Sequence, residues 1–278
     1  MSLTLIARSP LNPPSNISFP VEIHGETAPI SRKITAGAQD WFIPEEVPIA
    51  FVYNRRNYAV MMGTPDDLVD FAVGFSLTEE VIKTAADIKS IDIHLSDKGA
   101  DIRFKITPDA VERLEITQRR RNMVGSASCG LCGLENAETL FKVLPKVAET
   151  PTALPQETLD KAIAAIGAHQ PLNAQTRSVH AAAWVNMEGD IICTREDVGR
   201  HNALDKLLGA LAIQNANMST GFVLMSSRCS YEIVEKAARR GVKAVLSISG
   251  PTALALRKAE EANMAIYARN GQGAVRLL

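Results

Sequence analysis

Two cysteines three positions apart are the residues of this sequence best suited to chemistry. Cys129 and Cys132 lie in the small-residue stretch 125–133, which also holds three glycines. At this spacing two thiols can share a metal ion, form a disulfide, or act as a nucleophile and its helper. Glycines leave little side-chain bulk, which favours an exposed loop that a large partner can approach. The pair alone leaves all three chemistries open.

The surroundings of the pair favour a reactive thiolate. Three consecutive arginines, residues 119–121, come shortly before it. Positive charge lowers the pKa of a thiol from its ordinary value of about 8.5, and only the thiolate attacks. A helix predicted over residues 135–147 would act in the same direction through its N-terminus. A charge run is also typical of a plain solvated surface, so the electrostatic role is a hypothesis.

Length and charge restrict the class of protein. The chain has 278 residues and a formal net charge of −1, which predicts two subdomains and argues against general binding to nucleic acid. No apolar run approaches the roughly 20 residues that cross a bilayer, and the N-terminus does not resemble a secretory signal. We therefore expect a soluble, cytoplasmic protein without a membrane segment. In a reducing compartment a C-x-x-C pair is more typical of metal binding or catalysis than of a structural disulfide.

The pattern along the chain predicts three parts. Residues 1–16 are expected to be a flexible segment, 17–150 an α+β subdomain that includes the cysteine loop, and 151–278 an α/β domain. Proline residues around the second boundary indicate a linker there.

The first subdomain is predicted from two hairpins and the helix between them. Alternating apolar residues predict strand pairs within 46–62 and 88–106. Between them, Thr64 is placed to cap a helix whose first position is Pro65 and which extends to about Lys83. Strands and helix together indicate an α+β unit.

The second part alternates helices and strands from Gln156 onward. A hairpin is predicted within 179–194, and a leucine stripe predicts a helix that starts after Arg200. Strands and helices then alternate through residue 268. Such alternation predicts an α/β fold with a largely parallel sheet and right-handed connections.

Polar segments follow four of the predicted strands in this second part. They are residues 195–202, 226–230, 249–252 and 269–272. In an open α/β sheet, ligands bind outside the carboxyl ends of the strands, and helix N-termini there attract phosphate groups. Arg228 and Arg269 add charge that can pair with a phosphate or stack on a base. We expect a cleft for an anionic, nucleotide-like ligand.

Two histidines and two further cysteines are not assigned to chemistry. His180 and His201 are expected to be structural, because a lone histidine on a strand or at a helix start is more often a hydrogen-bonded structural group than a catalyst. Cys193 is expected in the core. Cys229 lies in one of the polar segments, and its role stays open.

Several longer motifs stand out between about residue 40 and the C-terminus. They lie at residues 63–67, 74–79, 128–133, 195–206, 226–232 and 251–255. Together they resemble the formate dehydrogenase accessory sulfurtransferase family, FdhD. The resemblance implies a sulfur carrier that receives persulfide sulfur from a cysteine desulfurase and passes it to the molybdenum cofactor, in its bis(molybdopterin guanine dinucleotide) form, for formate dehydrogenase. It also implies a homodimer and a cytidine-deaminase-like, α/β/α layered C-terminal domain.

The resemblance also implies roles for individual residues. Cys129 would bear the persulfide, and Cys132 would assist as a relay or second acceptor. The segment that matches the family's cofactor-binding loop consists of Tyr267, Ala268, Arg269, Asn270, Gly271 and Gln272. Asn270 and Gln272 stand where many members have glycine and arginine. The molybdenum cofactor would be a bound substrate, and no permanently bound metal is expected.

Three alternatives explain part of the sequence. A zinc deaminase needs H-x-E and P-C-x-x-C, but His180 is followed by two alanines and Cys129 is preceded by Ser128. A thioredoxin-like oxidoreductase carries its C-x-x-C near a βαβ unit, whereas the α/β region here begins well after the motif. The main alternative is a non-catalytic chaperone of formate dehydrogenase that binds the molybdenum cofactor and has a structural cysteine pair.

Overall fold

The computed structural model describes residues 18–26, 28–37, 39–124, 143–147, 153–271 and 273–278, except for the side chains of 117–124. The predicted flexible N-terminal segment, the arginine side chains at 119–121, the cysteine loop and Gln272 therefore lie outside the described residues. Residues 135–142 of the helix predicted over 135–147 also lie outside, and its described end, residues 143–147, is not helical.

Secondary structure follows the chain in two groups. The first comprises β1 (Val21–His24), β2 (Ser31–Ala36), β3 (Gln39–Pro44), β4 (Val47–Tyr53), β5 (Arg56–Gly63), α1 (Leu68–Thr78), β6 (Ile88–Ser96), β7 (Gly99–Ile106) and α2 (Pro108–Val124). The second comprises α3 (Gln156–Ala165), α4 (Pro171–Thr176), β8 (His180–Asn186), β9 (Ile191–Asp197), α5 (Arg200–Ile213), β10 (Gly221–Met225), α6 (Tyr231–Arg239), β11 (Ala244–Ser247), α7 (Ala253–Glu261), β12 (Ala265–Asn270) and β13 (Gly273–Arg276).

The first group forms a five-stranded sheet in the order β1-β6-β7-β4-β5, and β2 and β3 form a separate hairpin. Both predicted strand pairs are present, as β4–β5 and β6–β7. Apolar residues that alternate along these strands bury one face against α1 and α2, and Phe51, Phe71 and Phe75 are fully or almost fully buried there. The α+β prediction for this part is confirmed.

The second group forms a six-stranded sheet in the order β13-β12-β11-β10-β8-β9. Residues of α5, α6 and α7 share a core with one face of the sheet, and α3 shares a core with the other. The prediction of a mixed α/β fold with α/β/α layers is confirmed. The sheet is less parallel than expected, because β8 and β13 run against their neighbours. β8 and β9 form one hairpin and β12 and β13 form another, and the two strands of a hairpin are antiparallel.

Helices α1 and α5 join the two groups through an unusually close crossing. A Cβ atom added to Gly74 would lie 1.7 Å from the Asp205 carbonyl oxygen, and one added to Gly209 would lie 1.9 Å from the Asp70 carbonyl oxygen. Only glycine allows two helix backbones to approach so closely. Most of the side chains of α1 are buried, since the first sheet covers one side and α5 the other.

The start of α1 differs from the sequence prediction. The helix begins at Leu68, after Asp67 in the left-handed region with φ of 52°, so neither Thr64 nor Pro65 has the predicted capping role. The polar groups of Thr64 instead bind residues of the second group, as described below. The polar groups of Thr64 that could have capped α1 are therefore used in tertiary contacts.

The segment before the second group packs with it. Leu144 contributes to the core shared with α5, α6 and α7, and the Val147 amide donates to the Ala262 carbonyl at 2.9 Å. Among the described residues, no helix combines the length and the apolar character that crossing a membrane requires.

Candidate functional site

Four strands of the second sheet end at one edge. β10, β11 and β12 are mutually parallel, and β9 shares their direction because both β9 and β10 run antiparallel to β8. The carboxyl ends of these strands therefore lie at the same edge, where α5, α6 and α7 begin. The four polar segments thus lie at one edge of the sheet, and the ligand cleft expected from them stays a prediction. We call this edge, formed by residues 197–201, 226–232, 248–252 and 269–271, the strand-end edge.

A cluster of polar and charged side chains lies where α5 and α6 begin. The Nε2 atom of His201 is 3.0 Å from Glu232 Oε2, and Ser230 donates to the same oxygen at 3.2 Å. Arg200 approaches that oxygen at 3.8 Å. The hydrogen bond from His201 is the main cause that holds the pKa of Glu232 below its ordinary value. Glu232 is therefore charged at neutral pH and positions both basic side chains.

His180 lies at the same edge, where β8 begins beside the end of β9. Its strand partner is Asp197. Burial, reinforced by the positive charge of Arg200, lowers the pKa of His180 below its ordinary value. The imidazole is therefore neutral at neutral pH. A negatively charged ligand at this edge would reverse part of that shift, because opposite charge favours the protonated form.

The edge as a whole favours anions. Three helices start there with N-caps Gly199, Ser230 and Thr252, and of these only the Thr252 side chain accepts a hydrogen bond from its own helix. The first N–H groups of a helix have no acceptor within the helix and attract anions. Arg228 and Arg269 are exposed at the same edge.

The predicted cofactor-binding loop begins inside the core and ends at this edge. Tyr267 is buried in β12, and its hydroxyl accepts a hydrogen bond from the Leu154 amide at 2.9 Å. Ala268 is also buried, whereas Arg269, Asn270 and Gly271 are exposed. Arg269 is the residue of this loop whose position and charge suit phosphate contact. Binding of the molybdenum cofactor by these residues stays a prediction.

The motif at 195–206 also fastens the two groups of elements to each other. Asp197 accepts from the Thr64 amide at 3.0 Å, and the Lys206 ammonium donates to the Thr64 carbonyl at 3.0 Å. The Val198 amide donates to Thr64 Oγ1 at 3.2 Å. These contacts use every polar group of Thr64. They hold the end of β5 against the end of β9 and the second turn of α5, which sets the position of the strand-end edge relative to the first sheet.

Arg195 provides a second connection between the two groups. Its guanidinium donates to Asp70 on α1 at 2.7 Å and lies 3.6 Å from Asp67. Burial raises the pKa of Asp70 although the Arg195 charge opposes this change. Arg195, the first residue of the motif, thus supports the packing of α1 on α5. These contacts point away from a role in binding a ligand at the strand-end edge.

Both described cysteines are buried and unreactive. Cys193 and Cys229 are free thiols in the core, which confirms the expectation for Cys193. Burial raises the pKa of Cys193 to about 11 and that of Cys229 to about 12. At neutral pH the thiolate fraction of such groups is negligible. Neither is suited to carry sulfur, which leaves Cys129 and Cys132 as candidates.

The contact between His201 and Glu232 was not predicted from the sequence. Each residue occupies the first turn of a helix that follows a strand, and these strands share a direction. Their common position at the start of a helix after a strand could have indicated the contact. Using that position requires knowing that β9 runs parallel to β10. This direction depends on β8, which is antiparallel to both strands, and neither segment alone shows it.

Comparison with known proteins places the chain in a family. A model of the FdhD/NarQ family matches residues 44–276. A relative from Xanthomonas euvesicatoria pv. vesicatoria, named "Sulfur carrier protein FdhD", is 44% identical over 232 residues, which cover 84% of this chain and 81% of the relative. A relative of the same name from Cupriavidus necator is 42% identical over 224 residues, which cover 81% of this chain and 77% of the relative.

A solved structure shares the fold. It is the crystal structure of a candidate formate dehydrogenase accessory protein from Desulfotalea psychrophila, with a TM-score of 0.66 and 24% sequence identity. The match covers 89% of this chain and 96% of that chain. With the match of the family model and the identity to the two relatives, the conclusion is that this chain belongs to the FdhD/NarQ family.

Proposed function

We propose that this protein is a sulfurtransferase that accepts persulfide sulfur from a cysteine desulfurase on Cys129 and delivers it to the bis(molybdopterin guanine dinucleotide) molybdenum cofactor for formate dehydrogenase. The name of the curated relatives, sulfur carrier protein, supports the carrier role. The observation that carries the proposal is the strand-end edge, where three helices begin and the exposed Arg228 and Arg269 lie, because such an edge suits an anionic nucleotide group.

The proposed loading step is a thiol–persulfide exchange. The Cys129 thiolate attacks the terminal sulfur of the desulfurase persulfide, a new S–S bond forms on Cys129, and the desulfurase cysteine leaves as a thiolate. Cys193 and Cys229 cannot substitute, because burial keeps both thiols protonated. No net oxidation or reduction accompanies this step.

Delivery requires electrons that the second cysteine can supply. Release of the terminal sulfur as sulfide consumes two electrons. Cys132, as the relay, attacks the Cys129 sulfur, closes a Cys129–Cys132 disulfide, and expels sulfide toward the molybdenum. A cellular thiol reductant then reopens the disulfide. The glycines of the cysteine loop suit it to approach a bulky substrate.

Loading can be measured by mass spectrometry after incubation with a desulfurase and cysteine. We expect a gain of one sulfur that a reductant removes and that Cys129→Ala abolishes. Cys193→Ala is the matched control and should load normally, because that thiol is buried. Absence of loading, or loading that persists in Cys129→Ala, contradicts the carrier mechanism and favours the non-catalytic chaperone.

Substrate binding can be measured separately with nucleotides. Guanosine diphosphate represents half of the cofactor's nucleotide portion, and we expect it to bind more tightly than adenosine diphosphate. Loss of one charged hydrogen bond in Arg269→Ala should weaken binding about tenfold or more. Arg276→Ala is the control, since Arg276 is exposed on β13, three residues beyond Gly273, where that strand leaves the edge. Equal binding of the two nucleotides removes guanine recognition from the proposal.

We further propose that the protein acts in the cytoplasm as a homodimer. A reducing compartment would keep the cysteine pair able to accept sulfur. The β2–β3 hairpin supports a dimer, because Ile34, Trp41 and Ile43 share one face of it and are 44%, 55% and 41% exposed. Light scattering should give a dimer mass for the wild type and a monomer mass for Trp41→Ser. A monomeric wild type overturns this assignment.

A further inference from the structure

A group of metal-ligand side chains lies on the first sheet, away from the strand-end edge. It consists of His24 on β1 and Asp92 and His94 on β6. β1 and β6 are parallel neighbours in which His24 pairs with His94 and Glu22 pairs with Asp92. Side chains two positions apart on a strand share a face. The register therefore places two imidazoles and two carboxylates on one face of the sheet.

The three groups are close enough to bind one ion. His24 Nε2 lies 3.1 Å from Asp92 Oδ1, and His94 Nε2 lies 3.0 Å from Asp92 Oδ2. One ligand atom from each residue can be chosen so that all three lie within 4.8 Å of one another. Two ligands of a tetrahedral Zn²⁺ ion, each about 2.1 Å from the metal, are about 3.4 Å apart. The observed spacing thus needs only small side-chain adjustments.

The Asp92 carboxylate interacts with both imidazoles. Asp92 Oδ1 and His94 Nε2 are shielded from solvent, and neither atom meets strict hydrogen-bond geometry within the described residues. The rings of His24 and His94 are stacked with their centroids 5.0 Å apart. A cation between them would satisfy the polar atoms that converge there.

We propose that His24, Asp92 and His94 form a binding site for a first-row divalent transition metal such as Zn²⁺. Two imidazole nitrogens and one carboxylate suit zinc and its neighbours, whereas Mg²⁺ and Ca²⁺ prefer oxygen ligands alone. Glu22 Oε2 lies 3.6 Å from His24 Nε2 and is placed to act as a fourth ligand. The three side chains are between 38% and 51% exposed, so the ion can enter without opening of the fold.

The expected consequence is a stronger attachment of the first strand to the sheet. β1 is an edge strand of four residues, and its partner in the sheet is β6. A metal that binds folded protein raises its stability by mass action. His24 precedes the segment 44–276 matched by the family model, and this proposal does not rest on the proposed function. It departs from the expectation, stated with the family resemblance, that no metal is permanently bound.

Calorimetric titration of Zn²⁺ tests the site in the tag-free full chain that carries Cys129→Ser and Cys132→Ser, which remove competing thiolates. We expect one ion per chain and a rise in the unfolding temperature. His24→Gln and His94→Gln should each weaken binding at least about tenfold. His169→Gln is the matched control, because His169 is exposed and is not part of this group.

The chemistry of the ligands adds a second measurement. Binding should weaken between pH 7 and pH 5, because metal-bound imidazoles must be deprotonated. Excess Mg²⁺ should not displace Zn²⁺. No stoichiometric binding, or binding that is unchanged in both His24→Gln and His94→Gln while circular dichroism shows native folding, overturns the proposal.

Discussion

The Lys206 ammonium lies 2.7 Å from the Asp197 carboxylate, and both side chains are fully buried. Asp197 accepts a hydrogen bond from the Thr64 amide and Lys206 donates one to the Thr64 carbonyl. The pair thereby joins the first group of helices and strands to the second. A buried charge that loses its partner costs much more than an exposed one, since no water replaces the lost interaction.

Asp197→Asn should therefore destabilise the protein by about 3–5 kcal/mol, as measured by urea unfolding. Asp101→Asn is the control. Asp101 pairs with Arg103 at 3.1 Å, but their side chains are 49% and 50% exposed, so the loss should stay within about 1 kcal/mol. Equal effects of the two substitutions would contradict the structural role of the buried pair.

Gly74→Ala should strongly impair folding, because the new methyl group would overlap the Asp205 carbonyl. We expect a loss of at least about 3 kcal/mol in the free energy of unfolding, at the upper end for overpacked sites. Gly167→Ala adds the same methyl group where nothing lies within 4 Å. That control should change stability by less than about 1 kcal/mol. A mild effect of Gly74→Ala would show that α1 and α5 can separate at little cost.

His180 should report anion binding through its titration, which NMR can follow. Its midpoint in the free protein should lie below 6.5, because burial disfavours the charged form. Guanosine diphosphate should raise the midpoint, since phosphate favours the imidazolium. A ligand that raises a pKa binds more tightly as the pH falls through that pKa, so affinity should increase on acidification. The signals of His94 on the first sheet should not respond to the nucleotide, and an unchanged His180 midpoint would place the nucleotide elsewhere.

The thiols should fall into two classes. Of the four cysteines, Cys193 and Cys229 are buried with raised pKa values, so a thiol reagent at neutral pH should label only Cys129 and Cys132 in the reduced native protein. All four should react after unfolding. The variant with Cys129→Ser and Cys132→Ser should remain unlabelled while folded. Rapid native labelling of Cys229 would contradict its burial in the core.

Much of the local structure could be predicted from the sequence, because it depends on residues close together in the chain. The leucine stripe predicts the helix α5, although almost the whole helix is buried. The alternating apolar residues of β6 and β7 specify which face of each strand is buried. The polar segments after β9, β10, β11 and β12 were recognisable for the same reason. Their motifs also carried the resemblance to the family.

The structure differs from the sequence predictions where contacts with distant residues override local conformational preferences. Thr64 is of a residue type that often caps helices. Its polar groups instead bind Asp197, Val198 and Lys206, and α1 begins later in the chain. The antiparallel directions of β8 and β13 follow from strand pairing. His201 and Glu232 meet only because β9 and β10 share a direction.

The sequence by itself determined the elements, the cysteine pair and the motifs, since periodicity and residue type act over a few neighbouring positions. Only the tertiary structure decided how the two groups are joined and which distant side chains meet. The buried pair of Asp197 and Lys206 depends on the fold of a motif around Thr64, far away in the chain. The cluster of His24, Asp92 and His94 depends on the register of two parallel strands. Register and docking are set by long-range packing, which no local window of sequence contains.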